Sequence, residues 1–200
     1  MNSELHPYRL IFATSNQDKL QEIRNMLPKT LEISSLRDLG FHQEIPETAQ
    51  SIEGNDILKA NFIRERYGRD CFADDSGLEV DALKGAPGVL SARYAGPERS
   101  SDANIEKLLR ELGPNPERKA RFITVIALWF RDRLHLFTGI CKGRITYERI
   151  GEAGFGYDPV FQPEGKSLTF AQMNLEEKNL LSHRGHATRE LVDFLSKNTH

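Results

Sequence analysis

Residues 71–77 read Cys71-Phe72-Ala73-Asp74-Asp75-Ser76-Gly77, an apolar run followed by two adjacent carboxylates, a hydroxyl and a glycine. The apolar run predicts a buried strand, and residues 74–77 predict a tight turn at its end. Two unpaired carboxylates would cost too much free energy in a hydrophobic core. We therefore expect a place where acids meet a divalent cation and a phosphate. The alternative is an ordinary solvated turn, because Asp, Ser and Gly are common turn residues.

Strands and helices are predicted to alternate before this stretch. Apolar runs at residues 10–13 and near residues 31–34 are typical of buried strands, and the helix between them ends at Pro28. A loop is predicted from residue 38 to residue 49. Apolar residues then recur at helical spacing, which predicts a helix from about Ile52 to Tyr67.

The second half of the chain adds a predicted hairpin. Residues 78–80 alternate like a strand, and an amphipathic helix follows with Ser101 as its expected cap. Residues 121–130 and 134–140 are rich in strand formers, so we predict a β-hairpin, with residues 144–150 as a third strand. Two C-terminal helices complete the pattern, the first with the capping pair Asn174 and Glu177, the second marked by Ala187, Leu191, Val192 and Leu195. Helices interleaved with strands predict an α/β fold with a mixed sheet.

Composition narrows the class of protein. The 200 residues favour a single domain over residues 1–200, of one lobe or two. Lys plus Arg number 27 and Asp plus Glu 29, and this near-neutral balance argues against a dedicated nucleic-acid binder. The first nine residues lack the apolar segment of a signal peptide, and the apolar runs are too short to span a membrane. The two cysteines show neither metal-type spacing nor a disulfide framework. Free thiols fit a reducing cytosol, so we expect a cytoplasmic protein.

A phosphate-binding helix start is predicted directly after the first strand. The sequence there is Thr14-Ser15-Asn16-Gln17-Asp18-Lys19. Backbone N–H groups at a helix start, together with the helix dipole, favour a bound anion such as phosphate. Lys19 would add a cation where the dipole itself favours none. The alternative is an ordinary helix cap with a solvated lysine.

Acidic residues from two segments could serve one metal ion. Glu44 and Glu47 lie in the predicted loop, and Asp74 and Asp75 follow the central strand. Mg²⁺ prefers a few carboxylates together with water and substrate phosphate oxygens. A carboxylate beside the metal could also orient or deprotonate an attacking water molecule. The alternative is that the two glutamates are solvent-exposed residues of a flexible loop without a functional role.

Two further clusters could hold the rest of a nucleotide. The loop Gly154-Phe155-Gly156-Tyr157-Asp158-Pro159 lets the backbone approach a flat ligand, and its Phe could stack on a base. Lys178, His183 and Arg184 offer hydrogen-bond donors to a keto edge or a phosphate. They can converge only if the helix breaks near residues 182–185. The alternatives are a structural turn and a basic helix end.

Taken together, the chain resembles the inosine triphosphate pyrophosphatase family, house-cleaning enzymes that hydrolyse deaminated purine nucleotides. The resemblance covers nearly the whole sequence. It rests on separated motifs in the family's order, namely Thr14-Ser15-Asn16 with Lys19, residues 55–60, residues 73–78, residues 85–88, residues 91–94, residues 154–159, and Glu177-Lys178 with Ser182-His183-Arg184-Gly185. No single motif would carry it.

The resemblance implies Mg²⁺-dependent hydrolysis of ITP, dITP and XTP to the monophosphate and pyrophosphate. It implies a homodimer, and within the chain an elongated mixed sheet flanked by helices, with two lobes around a central substrate cleft. Asp75 would be the proton acceptor and, with Glu47, a metal ligand. The residues expected to bind substrate are Thr14, Ser15, Asn16, Gln17, Asp18, Lys19, Ser76, Phe155, Gly156, Tyr157, Asp158, Lys178, His183 and Arg184.

The sequence departs from the family pattern at one metal ligand. Some members have two adjacent acids there, whereas this chain has Pro46 before Glu47, and Glu44 is the alternative ligand. Asp74 could bind the metal or only support its neighbour. Two rival functions also stay open, a pyrophosphatase for other aberrant nucleotides such as modified pyrimidines, and a nucleotide sensor without turnover.

Overall fold

The computed structural model describes residues 7–199, which form an α/β fold. The strands are β1 (Tyr8–Phe12), β2 (Leu31–Ser35), β3 (Cys71–Val80), β4 (Pro87–Gly88), β5 (Lys119–Phe130), β6 (Arg133–Ile145) and β7 (Phe161–Pro163). The α-helices are α1 (Gln17–Arg24), α2 (Ile52–Tyr67), α3 (Ser101–Leu112), α4 (Leu175–Leu181) and α5 (His183–Asn198). The expectation about a signal segment falls largely on residues 1–6, which lie outside the described residues.

The seven strands form one mixed sheet, as the sequence predicted. The strand order is β2-β1-β3-β5-β6-β7, and β4 pairs with β3. Strand β1 is parallel to both β2 and β3, whereas β3–β4 and β6–β7 are antiparallel. None of the helices in residues 7–199 is both long and apolar enough to cross a membrane.

The chain divides into two compact units. Among the described residues, the first contains residues 7–75, 125–137 and 187–199, and the second contains residues 76–124 and 138–186. Strands β3, β5 and β6 contribute residues to both units. The prediction of a single domain with lobes around a cleft stays a prediction.

Two apolar cores stabilise the first unit, because strands β1 and β3 bury alternate side chains on opposite faces. Leu10, Phe12 and Phe72 pack with α1 and α5, and the rings of Phe12 and Phe72 stack at 4.5 Å. The other face packs against α2 and contains Ile11, Ala13, Ala60, Ile63, Cys71 and Ala73. The position of a residue along β3 therefore determines which helix its side chain meets.

The second unit has its own core. Leu78 and Val80 of β3 and Ile105 and Leu108 of α3 are fully or almost fully buried there. The rings of Phe122, Phe161 and Phe170 lie against one another, and edge-to-face and offset contacts of this kind add stabilisation beyond area burial. This core supports the base of the loop that contains Phe155.

The predicted turn at residues 74–77 is wrong. Strand β3 continues without interruption from Cys71 to Val80, through both carboxylates and the glycine. Tertiary contacts override the local turn chemistry, since Cys71 pairs with β1, Leu78 pairs with β4 and the side chains between them find polar partners. The strand predicted at residues 78–80 is the end of the same strand.

The predicted third strand at residues 144–150 is also wrong. Strand β6 ends at Ile145, and the Thr146 hydroxyl then donates to the Glu148 carbonyl, which turns the chain away. Besides β5, the strand that pairs with β6 is β7, which begins sixteen positions after β6 ends. The hairpin itself is confirmed, and its two turn residues, Arg131 and Asp132, have φ values of 45° and 62°.

Candidate active site

Adjacent acids on β3 reach two different lysines of the first unit. The Asp74 carboxylate lies 3.1 Å from Lys19 Nζ of α1, which also donates to the Asp74 carbonyl at 3.1 Å. The Asp75 carboxylate lies 3.6 Å from Lys59 Nζ of α2. Successive side chains of a strand point to opposite faces, so each acid meets the helix packed on its own face.

Lys59 joins Asp75 to the loop before α2. Its ammonium lies 2.8 Å from Glu47 Oε1 as well as 3.6 Å from Asp75 Oδ1, and the lysine is buried. Burial lowers the pKa of Lys59, but the carboxylates of Asp75, Glu47 and Asp56 outweigh this effect and raise it above its ordinary value. Lys59 is therefore a permanent cation shared by the two predicted metal ligands.

The loop acid that reaches Lys59 is Glu47, whereas Glu44 is exposed. The Ala49 N–H donates to the Asn55 side chain at 2.9 Å, and this bond attaches the loop to the first turn of α2. Contact with Lys59 thus favours Glu47 over Glu44 as the partner of Asp75. The role of either residue as a metal ligand stays a prediction.

Lys59 was not among the predicted site residues, although a signal was available. The buried face of α2 contains Ile52, Ala60 and Ile63 at helical spacing, and Asn55, Asp56 and Lys59 lie on that same face. Polar residues on the apolar stripe of a helix are costly unless they have partners. Three of them within five residues indicate a buried polar site.

The helix start at α1 is an Asn cap, as predicted. The Asn16 side chain accepts the backbone N–H groups of Asp18 and Lys19 at 2.9 and 3.1 Å, and the Thr14 hydroxyl accepts the Asn16 N–H. Ser15, Asn16, Gln17 and Asp18 are exposed. Because Asn16 already occupies two N–H groups of the first turn, phosphate binding here would rely on the remaining donors and on Lys19. It stays a prediction.

The carboxylates around Lys59 fit a hard divalent cation. Glu47 and Asp75 are half-buried and share one cation, and carboxylate oxygens are the ligands that Mg²⁺ prefers. Asp56 adds a fully buried carboxyl whose oxygens have no hydrogen-bond partner in the described part of the chain. Within residues 7–199 no group of three or more acids, histidines or cysteines is arranged to hold a metal by itself. Water and phosphate oxygens would have to complete the coordination.

Ser76 begins the part of β3 that belongs to the second unit. Its hydroxyl lies 2.6 Å from the Thr124 hydroxyl of β5 and accepts a 2.9 Å hydrogen bond from the Arg184 guanidinium. Arg184 is almost fully buried. A guanidinium held in this way presents its donors in a fixed orientation.

Four of the predicted substrate residues meet at the glycine-rich loop. Asp158 Oδ2 accepts the Phe155 N–H at 2.9 Å and the Lys178 ammonium at 2.6 Å. The half-buried Phe155 ring lies 4.7 Å from Lys178 Nζ and 5.6 Å from the centre of the Arg184 guanidinium. The structure therefore forms an aromatic face next to two cations, and Asp158 fixes the loop that carries it.

The remaining aromatic residue of the loop has a structural partner. Tyr157 is buried and its hydroxyl donates to the Ser91 carbonyl at 2.9 Å. This fits the alternative of a structural turn whose aromatic side chain packs in the core. Burial is the main reason that the pKa of Tyr157 is raised above its ordinary value. Gly156 has a φ of 60°, a left-handed conformation that favours glycine.

The break predicted between Lys178 and His183 is present. Helix α4 ends at Leu181, Ser182 is extended with φ −72° and ψ 154°, and α5 begins at His183. The His183 ring is buried and stacks on Phe122 at 4.4 Å. The break allows Lys178 and Arg184 to lie on the same Phe155 ring.

A surface cavity of about 800 Å³ lies elsewhere in the second unit. Its lining includes charged side chains of β3, β5 and β6, namely Glu79, Arg121 and Lys142, and Glu164 directly after β7. None of the predicted site residues contributes to its lining. We therefore do not assign the substrate to this cavity.

Comparison with known proteins identifies the family. A sequence model of the Ham1 family matches residues 10–194. The chain belongs to the Ham1 family. This confirms the resemblance on which the sequence prediction rested.

Ham1-family relatives match the chain over nearly their full length. The dITP/XTP pyrophosphatase of Flavobacterium psychrophilum is 58% identical over 186 residues, which cover 93% of this chain and 98% of the relative. The dITP/XTP pyrophosphatase of Porphyromonas gingivalis is 54% identical over 188 residues, covering 94% of this chain and 97% of the relative.

Solved Ham1-family structures share the fold. The Staphylococcus aureus Ham1 protein is 38% identical with a TM-score of 0.86, over 95% of this chain and 99% of that one. A nucleoside-triphosphatase / dITP/XTP pyrophosphatase from Mycobacterium abscessus is 40% identical with a TM-score of 0.75, over 92% of this chain and 99% of that one. These similarities confirm the α/β fold with a mixed sheet.

Proposed function

We propose that this protein hydrolyses ITP, dITP and XTP to the nucleoside monophosphate and pyrophosphate, with Mg²⁺ as the divalent metal. The class of enzyme is a nucleoside triphosphate pyrophosphatase, and relatives named dITP/XTP pyrophosphatase at 52–58% identity confirm this class. The hydrolysis of deaminated purine triphosphates follows from the same names. The metal's identity, the products and the role of each residue are proposals.

One observation carries the chemical part of the proposal. Asp75 and Glu47 both contact the buried ammonium of Lys59, so two carboxylates from different segments are held close together. A protein that only bound polyphosphate would gain little from carboxylates beside it, because like charges repel. Two acids and a lysine are instead a set that can hold a metal, orient water and stabilise a phosphoryl group.

Asp75, Glu47 and Lys19 would act on the triphosphate. Mg²⁺ bound by Asp75 and Glu47 would neutralise phosphate charge as it builds up. Asp75 accepts a proton from the water that attacks the α-phosphorus, and the bond to the pyrophosphate leaving group breaks. Lys19 and the free donors of the α1 start stabilise the charge on the leaving pyrophosphate.

Phe155, His183 and Arg184 would recognise the base. Phe155 stacks on it, while His183 and Arg184 donate to the 6-keto oxygen of hypoxanthine or xanthine. Adenine carries an amino group there and offers these donors no acceptor. A site built to hydrogen-bond a group can reject an analogue that lacks it by a factor of about 10⁴.

A panel of nucleoside triphosphates tests the proposed function. ITP, dITP, XTP, GTP, ATP and modified pyrimidine triphosphates are incubated with the protein and Mg²⁺, and pyrophosphate and phosphate are assayed separately. We expect pyrophosphate from the deaminated purines at rates at least 100-fold above those with ATP. Preferential turnover of pyrimidines, release of single phosphates, or intact nucleotide after hours would each refute the proposal.

Asp75→Asn tests the assignment of the proton acceptor. The variant should retain the fold and lose nearly all pyrophosphate release, because the amide cannot take the proton. Asp102→Asn, at an exposed carboxylate of α3, is the control and should keep full activity. Wild-type turnover by the Asp75 variant would exclude the general-base role. The homodimer and the cytoplasmic location stay predictions, which size measurement and cell fractionation would check.

A further inference from the structure

Asp56 is a buried acid to which the proposed reaction gives no role. Its side chain is fully buried on α2, and neither carboxylate oxygen has a hydrogen-bond partner among residues 7–199. Burial, and then the charge of Asp75, raise the pKa of Asp56 well above its ordinary value. A carboxyl buried without hydrogen bonds is costly, and chains tolerate such a cost mainly at functional sites.

Among the cations that act on Asp56, Lys59 has the largest effect. The two residues are three positions apart on α2 and lie on the same face of the helix. In this structure, however, the Lys59 ammonium contacts Glu47 and Asp75. Asp56 therefore offers Lys59 a second acceptor within reach of its flexible side chain.

A metal ion would need the carboxylates that Lys59 now contacts. A divalent cation and an ammonium repel each other, so both cannot stay at short range on the same oxygens. When all groups are ionised, the polar cluster contains four carboxylates, Glu47, Asp56, Asp74 and Asp75, and two ammonium groups, Lys19 and Lys59. A divalent cation balances this difference of two charges, and with the metal on two of the carboxylates one acid remains for each lysine.

We propose that Asp56 is a positioning residue that accepts the Lys59 ammonium when a divalent cation occupies Glu47 and Asp75. The inference rests on the proposed function, which assigns the metal to those two carboxylates. Asp74 remains with Lys19, and Asp56 takes Lys59. The unpartnered oxygens of Asp56 are then the acceptor for Lys59.

Mn²⁺ binding to the nucleotide-free protein, followed by electron paramagnetic resonance of the free ion, tests the inference. We expect Asp56→Asn to weaken Mn²⁺ binding about tenfold, because Lys59 then competes for Glu47 and Asp75. In a Lys59→Met background the competitor is absent, so the same substitution should change the affinity less than twofold. Glu53→Gln removes an exposed charge from the same helix and should leave Mn²⁺ binding unchanged.

Two results would overturn the role of Asp56. If Asp56→Asn binds Mn²⁺ with unchanged affinity, Asp56 has no role at the metal site. Asp56→Ala is the second variant should Asp56→Asn fail to fold. An equal loss in the Lys59→Met background would make Asp56 a metal ligand rather than a partner of Lys59. Asp75→Asn separates this inference from the proposed function. If it too leaves Mn²⁺ binding intact, or if the wild-type protein binds no Mn²⁺, the metal assignment itself fails.

Discussion

The Lys178 ammonium lies 2.6 Å from the Asp158 carboxylate, and both side chains are buried. Breaking a buried pair on one side leaves an uncompensated charge, which costs about 3–5 kcal/mol. We therefore expect Asp158→Ala to lower the free energy of unfolding by about that amount, measured by urea denaturation. The exposed pair of Asp102 and Arg149 is the control, and Asp102→Ala should cost less than about 1 kcal/mol. Equal losses in the two variants would contradict this prediction.

Phe155→Ala should weaken substrate binding. Stacking of a base on an aromatic ring is worth about 1–3 kcal/mol, so KM for ITP should rise roughly 5- to 150-fold while kcat changes little. Tyr147→Ala is a matched control, because Tyr147 is an exposed aromatic that also lies against a guanidinium, that of Arg118. Steady-state kinetics measure both variants. An unchanged KM in Phe155→Ala would remove Phe155 from the stacking role.

Gly185→Ala should disturb the junction of α4 and α5. A Cβ at this position would lie 1.8 Å from the Asn179 carbonyl oxygen, so the backbone that positions His183 and Arg184 would have to move. We expect lower thermal stability together with a higher KM. At Gly165 a Cβ would meet open space, so Gly165→Ala should lower the free energy of unfolding by only about 1 kcal/mol, the cost of its left-handed backbone. Its KM should be unchanged. A Gly185 variant with wild-type stability would show that the junction yields without cost.

Both cysteines should resist thiol reagents in the folded protein. Burial raises the pKa of Cys71 from 9.0 to about 12 and that of Cys141 from 9.0 to about 11. The thiolate is the reactive form, so at pH 8 only about one Cys71 thiol in ten thousand is reactive. Labelling with a chromogenic disulfide should be slow at pH 8 and complete after denaturation. Rapid labelling of native protein would contradict the burial of these thiols.

The same pKa shifts predict a loss of stability in alkali. The thiols of the unfolded chain ionise near pH 9, whereas those of the folded chain remain protonated until about pH 11 to 12. Unfolding therefore releases protons in this interval, and the free energy of unfolding should fall as the pH rises through it. A Cys71→Ala, Cys141→Ala protein should show a shallower fall, measured by denaturation at each pH. Parallel pH profiles would exclude this contribution.

Local chemistry explains what could be predicted from the sequence. The bounds of α2 were predicted correctly because Ser51 caps its start and Gly68 ends it at a φ of 60°. The capping box of Asn174 and Glu177 and the break at Ser182 also follow from short-range chemistry. These features depend on neighbours within a few residues, and those neighbours are visible in the sequence.

Long-range partners explain what could not be predicted. Residues 74–77 are typical of a turn, yet they remain in β3 because Lys19 lies 55 positions before Asp74 and Thr124 lies 48 positions after Ser76. The buried polar face of α2 was visible in the sequence, but the partners of Lys59 were not, since Glu47 and Asp75 lie in other segments of the chain. The pairing of β6 with β7 depends on a loop whose course only the folded chain defines.

The alternation of side chains along β3 has an evolutionary consequence. Phe72 and Asp74 face α1, whereas Cys71, Ala73 and Asp75 face α2. Deleting or inserting one residue just before Asp74 would shift the register of β3 by one position. Each acid would then point away from its own lysine, and apolar side chains would face the wrong helices. A point substitution here changes one side chain and leaves the register intact, whereas a change in length shifts every side chain of the strand at once. We expect this segment to tolerate neither insertions nor deletions among descendants of the chain that keep the activity.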